Sequence, residues 1–197
     1  MGAAPETARS WLGCVAHAAP SEAWPRTSNG EPLGAILDLD LEHNPVDVAP
    51  EIARVVVFSP EYADRMEDVV VRTYRRGQPL VPIATPEGVP EHTAPRPIAL
   101  GPPDDSYPDR KDLPASVRAA LTERCPQSPR VADRETLDSH VGGWPVWIQS
   151  PPFSASFDFA LQLDTLDFED WALGDSALVY LCRTVGDGRW FVHMDGC

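Results

Sequence analysis

The sequence predicts an α+β fold with mixed, largely antiparallel sheets, a few peripheral helices and two loosely repeated halves. Three observations support this prediction: alternating and β-branched runs recur along the chain, some segments have helical periodicity, and each half has a Trp-Pro pair followed by a Leu-X-Leu-Asp strand. We expect one domain over residues 1–197, with a first half at about 20–78, a Pro-rich insertion at about 79–111 and a second half at about 112–197.

The first element is predicted to be a helix, because apolar residues fall at i, i+3, i+4 and i+7, at Ala8, Trp11, Leu12 and Val15. Residues 32–41 then alternate as a half-buried strand, with Asp38 and Asp40 on the face opposite to the one that carries Leu33, Ala35, Leu37, Leu39 and Leu41. The continuous apolar run 54–58 predicts an interior strand. Ser59-Pro60 resembles a helix start, with a short helix to about residue 66, and residues 69–74 predict another strand.

The Pro-rich stretch contains nine of the 22 prolines between residues 79 and 108, so we expect an ordered loop without a long helix or a central strand. Residues 112–125 have the periodicity of a second helix. Three further strands are predicted at 158–164, 177–183 and 189–194. The last two should form a hairpin, because Asp187-Gly188 suits a tight turn with positive φ.

The charge is strongly acidic, with 30 Asp and Glu against 16 Lys and Arg and a net charge of −14. Nucleic acid is therefore not expected as a partner, since phosphate binding depends on Lys and Arg. No Lys or Arg lies between Arg134 and Arg183, where the acids are Glu135, Asp138, Asp158, Asp164, Asp167, Glu169, Asp170 and Asp175. This segment predicts either a surface for a basic protein partner or a cation, or a solvated face that keeps the chain soluble.

No membrane association is expected, because the sequence has no apolar run of about eighteen residues and no leader-like N-terminus. The expected location is the cytoplasm. The four cysteines, Cys14, Cys125, Cys182 and Cys197, are scattered without a C-x-x-C pair, so we expect reduced thiols rather than a disulfide framework or a metal site.

The most unusual motif is Val-Gly-Gly-Trp-Pro-Val-Trp-Ile-Gln at residues 141–149, followed by Ala-Leu-Gln-Leu-Asp at 160–164 and by Trp171 with Gly174-Asp175. Nearer the start, Trp24-Pro25-Arg26 precedes Gly-Glu-Pro-Leu at 30–33 and Asp-Leu-Asp-Leu at 38–41. This order of motifs resembles the YwqG-like family, a bacterial domain of unknown function. The resemblance covers most of the chain, and residues 79–108 match least.

Two departures from the family pattern fall on candidate site positions. Asp38 stands where the family usually has Gln, and Ala172-Leu173 separates Trp171 from Gly174-Asp175. The resemblance implies no established activity. Some relatives are thought to lie near bacterial toxin and immunity genes, which implies an interaction role.

The candidate site begins with Trp144, Trp147 and Gln149, because Gly142-Gly143 would allow a close approach of the backbone to a planar, sugar-like or peptide ligand. The alternative is that these tryptophans fill a core and that Gln149 binds a buried backbone group. The full predicted set of ligand-binding or partner-binding residues is Trp24, Arg26, Trp144, Trp147, Gln149, Gln162, Asp164 and Asp175.

Asp38, Asp40 and Asp164, aided by Asp175, would bind a divalent cation or share acid and base roles if the two halves brought them together. The alternative is that they cap strand ends or are solvated. His193 with Asp195 is the only suggestive histidine pair, and no nucleophile motif occurs, so we assign no catalytic residue, metal or cofactor.

Two functional hypotheses follow. The first is a non-enzymatic protein-binding domain, of which an immunity-type or interaction factor in bacterial conflict is one example. The alternative is a small-ligand-binding or hydrolytic domain that uses a groove of Trp, Gln and carboxylate groups.

Overall fold

The computed structural model of the protein describes residues 9–13, 16–43, 49–60, 68–90, 94–101, 115, 139–147, 157–165 and 177–196. Those residues form eleven strands: β1 Ser10–Leu12, β2 His17–Ala18, β3 Gly34–Asp40, β4 Ile52–Ser59, β5 Val70–Arg75, β6 Val81–Pro82, β7 Arg96–Ile98, β8 His140–Val141, β9 Phe157–Asp164, β10 Ala177–Thr184 and β11 Trp190–Gly196. The first sheet has the order β5-β4-β3-β1-β7, the second has the order β11-β10-β9-β8, and β2 pairs with β6. All of these pairings are antiparallel.

The α+β prediction with peripheral helices is wrong, because the part of the chain that the structure describes is built from antiparallel sheets and has no helical element. The segment around Trp11, expected to be a helix, instead forms β1 between β3 and β7. Its helical spacing spans only two turns, and Ser10 and Leu12 are both buried, which is the period-two pattern of a strand. The helices expected after Ser59 and over residues 112–125 lie outside the described residues, apart from Ala115.

Most of the predicted long strands are confirmed. β4 lies inside the first sheet, as its apolar run indicates, and β5, β9, β10 and β11 begin and end within two residues of the predicted bounds. The hairpin between β10 and β11 is also confirmed: Gly188 has a φ of 68°, and Asp187 accepts a hydrogen bond from the backbone N–H of Arg189 at 3.1 Å.

The prediction that the alternating apolar residues of the first Leu-X-Leu-Asp strand all share one face is only partly correct. The register of β3 against β4 shifts between Ala35 and Leu37, which is the signature of a bulge. Leu33 and Ala35 therefore pack in the cluster that contains Phe58, whereas Leu37 and Leu39 pack on the opposite side of the sheet.

The two main sheets share one apolar core, which we call the central core. The first sheet contributes Leu37, Leu39, Val55 and Val57, and the second contributes Leu161, Leu163, Val179 and Leu181. Because neighbouring residues of a strand point to opposite faces, the polar residues between these leucines point away from the central core, to what we call the outer faces. Asp38 and Asp40 lie on the outer face of the first sheet, and Gln162 and Asp164 lie on that of the second.

The outer faces are themselves covered. On the first sheet, the covering cluster includes Ala16, Ala18, Leu33, Val56, Phe58 and Tyr74. On the second sheet, Leu178, Tyr180 and Cys182 are buried beneath Trp147, Phe157, Phe159 and Phe191. Polar side chains on these faces are therefore enclosed and need hydrogen-bond partners.

The same hydrogen bonds recur in the two sheets. The last residue of the Leu-X-Leu-Asp strand donates its backbone N–H to a serine hydroxyl at 2.9 Å, with the pairs Asp40 to Ser10 and Asp164 to Ser139. A glycine with positive φ donates its N–H to the residue four positions before that aspartate, with the pairs Gly13 to Ile36 at 3.1 Å and Gly142 to Ala160 at 2.8 Å. Four residues after each glycine, a backbone N–H binds a strand side chain, with the pairs His17 to Asp38 and Val146 to Gln162, both at 2.9 Å.

This correspondence aligns Val146 with His17, whereas the sequence suggested that Trp144 corresponds to Trp24. It keeps the expected match of Leu37-Asp38-Leu39-Asp40 with Leu161-Gln162-Leu163-Asp164. The single-domain assignment and the boundaries of its halves stay predictions.

Candidate functional site

Three side chains on the outer face of the first sheet form what we call the polar cluster: His17 from β2, Asp38 from β3 and Arg54 from β4. Asp38 is fully buried. Its Oδ2 accepts hydrogen bonds from the backbone N–H of His17 at 2.9 Å and from Nδ1 of the same residue at 2.7 Å, and its Oδ1 accepts one from Nη1 of Arg54. The carboxylate is thus paired on both oxygens, as a buried charge requires.

Nδ1 of His17 lies 2.7 Å from Oδ2 of Asp38 and 3.2 Å from Nη1 of Arg54. A carboxylate oxygen can only accept, so Nδ1 carries a hydrogen when it bonds Asp38, whereas a guanidinium can only donate. Within the described residues Nε2 has no hydrogen-bond partner, and the side chain is 22% exposed. The imidazole is therefore oriented from below by Asp38, as a histidine is when it binds a ligand or transfers a proton.

Asp40 extends the cluster toward the surface. Its Oδ1 accepts the backbone N–H groups of Glu42 at 3.0 Å and His43 at 3.1 Å, and Nη2 of Arg54 lies 3.6 Å from Oδ2. Burial would raise the pKa of Asp40, but the hydrogen bonds from His43 and the charge of Arg54 outweigh it and hold this pKa below its usual value.

A polar cavity of about 350 Å³ opens beside the polar cluster. Its walls include His17, Asp40, Glu42, Arg54 and Gln78. Together with Asp38 beneath them, these walls carry three carboxylates and one guanidinium, so the cavity favours cationic groups over anions.

On the second sheet, the segment after β8 carries two of the predicted tryptophans. Trp147 is packed, with ring centroids 4.5 Å from Tyr180, 5.8 Å from Phe157 and 5.9 Å from His193. Trp144 is 43% exposed. The alternative that the tryptophans fill a core therefore fits Trp147 and does not fit Trp144.

His193 and Asp195 occupy β11, with Nε2 of His193 3.8 Å from Oδ1 of Asp195. Nε2 is buried, and it has no hydrogen-bond partner within the described part of the chain. Burial lowers the pKa of His193 below its usual value, and the charge of Asp195 offsets this only in part. This pair is enclosed by Trp147 and Tyr180 and acts as part of the aromatic packing.

Among the other predicted residues, those in the first half have structural roles. Nε1 of Trp24 donates to the carbonyl of Leu33 at 2.7 Å, and its ring packs edge-on against Phe58 at 5.4 Å. Nη1 of Arg26 donates to the carbonyl of Gly30 at 2.8 Å and closes a surface turn.

In the second half, Gln162 is fully buried and accepts the N–H of Val146. Asp164 is also buried, at the end of β9. Gln149 and Asp175 lie outside the described residues. Trp24 packs on the first sheet and Trp147 on the second, so the structure does not bring these residues into one groove.

The convergence of Asp38, Asp40 and Asp164 that a shared site would require does not occur. The first two lie on the outer face of the first sheet and Asp164 on the outer face of the second, because the leucines between them face the central core. Over the described ranges, no group of three or more His, Cys, Asp or Glu side chains is placed to hold a metal ion.

Sequence reasoning missed His17 and Arg54. A signal was present for Arg54: it is the one charged residue of an otherwise largely apolar interior strand, and a charge at such a position requires a buried partner. His17 had no comparable signal, because β2 is only two residues long and pairs with a strand from the Pro-rich stretch.

These features define an acidic protein with two antiparallel sheets packed on a common core, a polar cluster on one sheet and an exposed tryptophan on the other. No protein-family profile matches the chain, and no curated protein matches it. The YwqG-like resemblance therefore stays a prediction. Within the described residues, no helix is long and apolar enough to cross a membrane.

Proposed function

We propose that this chain is a non-enzymatic protein-binding domain that uses Trp144 to bind a basic protein partner. The observation that supports this proposal is the exposure of Trp144, whose side chain is 43% exposed, whereas Trp24 and Trp147 are partly buried against the apolar clusters of the two sheets. Exposed tryptophans are frequent hot spots of protein interfaces, and an indole also binds Arg and Lys through cation–π contacts.

Residues 142–146, which we call the Trp144 loop, are anchored on both sides of the tryptophan. On one side, Gly142 donates its N–H to Ala160 at 2.8 Å; on the other, Val146 donates its N–H to Gln162 and accepts the Tyr180 hydroxyl at 2.7 Å. A loop fixed in this way loses little conformational entropy when its central side chain binds, which favours affinity.

The charge of the chain favours a basic partner. The net charge is −14, and residues 135–182 contain no Lys or Arg. Complementary charge raises the association rate and makes it sensitive to salt. An immunity-type role in the bacterial cytoplasm, where Cys182 would stay a thiol, is the setting that we propose for this interaction.

The alternative of a small-ligand or hydrolytic groove built from Trp, Gln and carboxylate groups has less support. Gln162 is buried, its carbonyl is bound by Val146, and Trp147 is packed. These side chains fix the Trp144 loop in place.

The test is affinity purification of the tagged chain from its host, followed by reconstitution with the purified partner. We expect a basic protein that binds at low salt and whose Kd rises with ionic strength. Trp144→Ala should weaken binding by roughly tenfold or more, as expected for a hot spot.

The matched control is Val185→Ala, which truncates another exposed apolar side chain, 57% exposed, in the β10–β11 hairpin. This variant should bind like the unmodified chain. Equal binding by the Trp144→Ala variant, or a partner whose affinity does not respond to salt, would refute the proposal.

A further inference from the structure

A ring nitrogen on the outer face of the second sheet, Nε2 of His193, is buried. It has no hydrogen-bond partner in the part of the chain that the structure describes. Oδ1 of Asp195 lies 3.8 Å away, which is beyond hydrogen-bond range. In an imidazolium both ring nitrogens carry a hydrogen, so protonation would make Nε2 a buried, charged donor that needs an acceptor.

The His193 ring is part of the aromatic packing beside the Trp144 loop. It stacks on Tyr180, with ring centroids 5.8 Å apart and an interplanar angle of 27°, and it packs edge-on against Trp147 at 5.9 Å. Tyr180 is fully buried, and its hydroxyl donates to the carbonyl of Val146 at 2.7 Å. A displacement of the imidazole would therefore reach one anchor of the Trp144 loop through Tyr180.

A protonated imidazole has two ways to satisfy Nε2. It can approach Asp195, two residues further along the same face of β11, or it can turn toward solvent, to which the side chain is already 24% exposed. Either movement displaces the ring from its stack on Tyr180. The first also takes it away from Trp147, because the Trp147 ring contacts Phe157, which is level with the start of β11 and not with its end.

Burial sets His193 apart from the other titratable groups of this face. It lowers the pKa of His193 below its usual value, and the charge of Asp195 opposes this only in part, so the ring is neutral near pH 7. The neighbouring strands contribute Tyr180 and Cys182 from β10, Asp164 from β9 and His140 from β8. Burial raises the pKa of Cys182 to about 12, which leaves this thiol uncharged. His140 is the second histidine of this face and supplies a control.

We propose that His193 makes the Trp144 loop sensitive to pH: protonation of its imidazole loosens the aromatic packing beside the loop and weakens the binding of the partner. The partner is held near neutral pH and released below about pH 6. The effect on binding rests on the proposed function, because it regulates the same loop. The loosening of the loop is a property of the isolated chain and can be measured without a partner.

The first measurement is an NMR titration of the isolated full chain between about pH 8 and pH 5. It follows the His193 imidazole, the backbone amide of Val146 and the indole N–H of Trp147. The Val146 and Trp147 resonances should shift with the same midpoint as the His193 ring, because the ring displacement reaches both residues.

Three variants identify the group that titrates. His193→Phe keeps an aromatic ring without a proton to gain, so the Val146 and Trp147 transitions should disappear. His140→Gln removes the other histidine of the same face and should leave both transitions in place. His43→Gln, on the first sheet, is the matching control should the His140 variant not fold.

The second measurement is the Kd of the purified partner at about pH 7.5 and pH 5.5, at constant ionic strength. For the unmodified chain, Kd should rise by roughly fivefold or more at the lower pH, the range of an ordinary coupling between two sites. The His193→Phe variant should lose most of this rise. The part that remains reports the general loss of negative charge by an acidic chain.

Two results would overturn the inference, whether or not a partner binds. One is a Val146 amide that does not change as His193 titrates, and the other is a Val146 transition that persists in the His193→Phe variant. An equal rise of Kd in the unmodified chain and in this variant would overturn the regulatory consequence. Failure of the proposed function is distinguishable, because the unmodified chain would then bind no partner at any pH while the Val146 transition remained.

Discussion

Replacing Arg54 with leucine would remove the cation beside the buried carboxylate of Asp38. The side chains of Arg54 and Asp38 are 13% and 0% exposed, so solvent screens their interaction weakly. His17 would still donate two hydrogen bonds to Oδ2, but Oδ1 would lose its partner from Arg54. The substitution therefore leaves a buried carboxylate with two of its three described hydrogen bonds and with no described partner for Oδ1.

Removing one partner of a buried ion pair costs about 3–5 kcal/mol. Because His17 would still donate two hydrogen bonds to Asp38, we expect the loss in free energy of unfolding to lie at the lower end of this range, about 3 kcal/mol. The contact of Arg54 with Asp40, at 3.6 Å, adds about 1 kcal/mol at most. In urea, with a slope of about 2 kcal/mol per M, the midpoint should fall by about 1.5–2 M.

The double variant Asp38→Gln, Arg54→Leu distinguishes the charge from the packing. It reproduces the combination of Gln162 and Leu178, which already satisfies the N–H of Val146 in the second sheet. We expect it to recover to within about 1 kcal/mol of the unmodified chain, because replacing both partners of a buried ion pair by uncharged residues often costs little.

The assay is equilibrium urea denaturation at pH 7 of the unmodified chain, both single variants and the double variant, with stability read from the midpoint at constant slope. The reasoning fails if Arg54→Leu costs less than about 1 kcal/mol. It also fails if the double variant is no more stable than Arg54→Leu alone, since the loss would then come from packing and not from an unpaired charge.

Three further predictions concern the second sheet. Burial lowers the pKa of His193 in the folded state, so the unfolded state binds more protons and the free energy of unfolding should fall as the pH drops below about 6.5. In urea denaturation between pH 8 and pH 5, the His193→Phe variant should lose less stability than the unmodified chain. An unchanged dependence of stability on pH would contradict this assignment. Tyr180→Phe removes the donor to the carbonyl of Val146 and should cost about 1–2 kcal/mol in the same assay, whereas full retention of stability would show that this bond contributes nothing. Burial raises the pKa of Cys182 to about 12, so iodoacetamide should modify this thiol only as fast as the chain opens. The extent of modification is measured by mass spectrometry of the peptide that contains Cys182. Rapid modification under native conditions would be incompatible with the burial of this thiol.

The strands that sequence predicted correctly are long and have a local signal. β9 and β11 alternate over seven or eight residues, and Asp187-Gly188 marks the turn before β11. β1 has only three residues, and its membership in a sheet depends on β3 and β7, which are distant in sequence. A helical spacing of four apolar residues could not reveal those partners.

The bulge in β3 shows a different limit. The alternation of Leu33, Ala35 and Leu37 continues through the bulge, and only pairing with β4 reveals that the third residue has changed face. The candidate site has the same limit. The Leu-X-Leu-Asp pattern places Asp38 on the face opposite the leucines, but the partner of a buried carboxylate is set by neighbouring strands. His17 is 21 residues away and Arg54 is 16 residues away.

The repeated hydrogen bonds suggest how one framework can serve two surfaces. In each sheet, a glycine N–H fixes the start of a loop, and the fourth residue after it is bound by a strand side chain. In the second sheet that side chain is the neutral Gln162, and the fixed loop presents Trp144 outward. In the first sheet it is the charged Asp38, and the fixed residue is His17 beside a cavity. Both anchors serve the same backbone requirement, so the two regions can be altered separately: Trp144→Ala should leave the polar cluster intact, and His17→Val should leave the Trp144 loop intact.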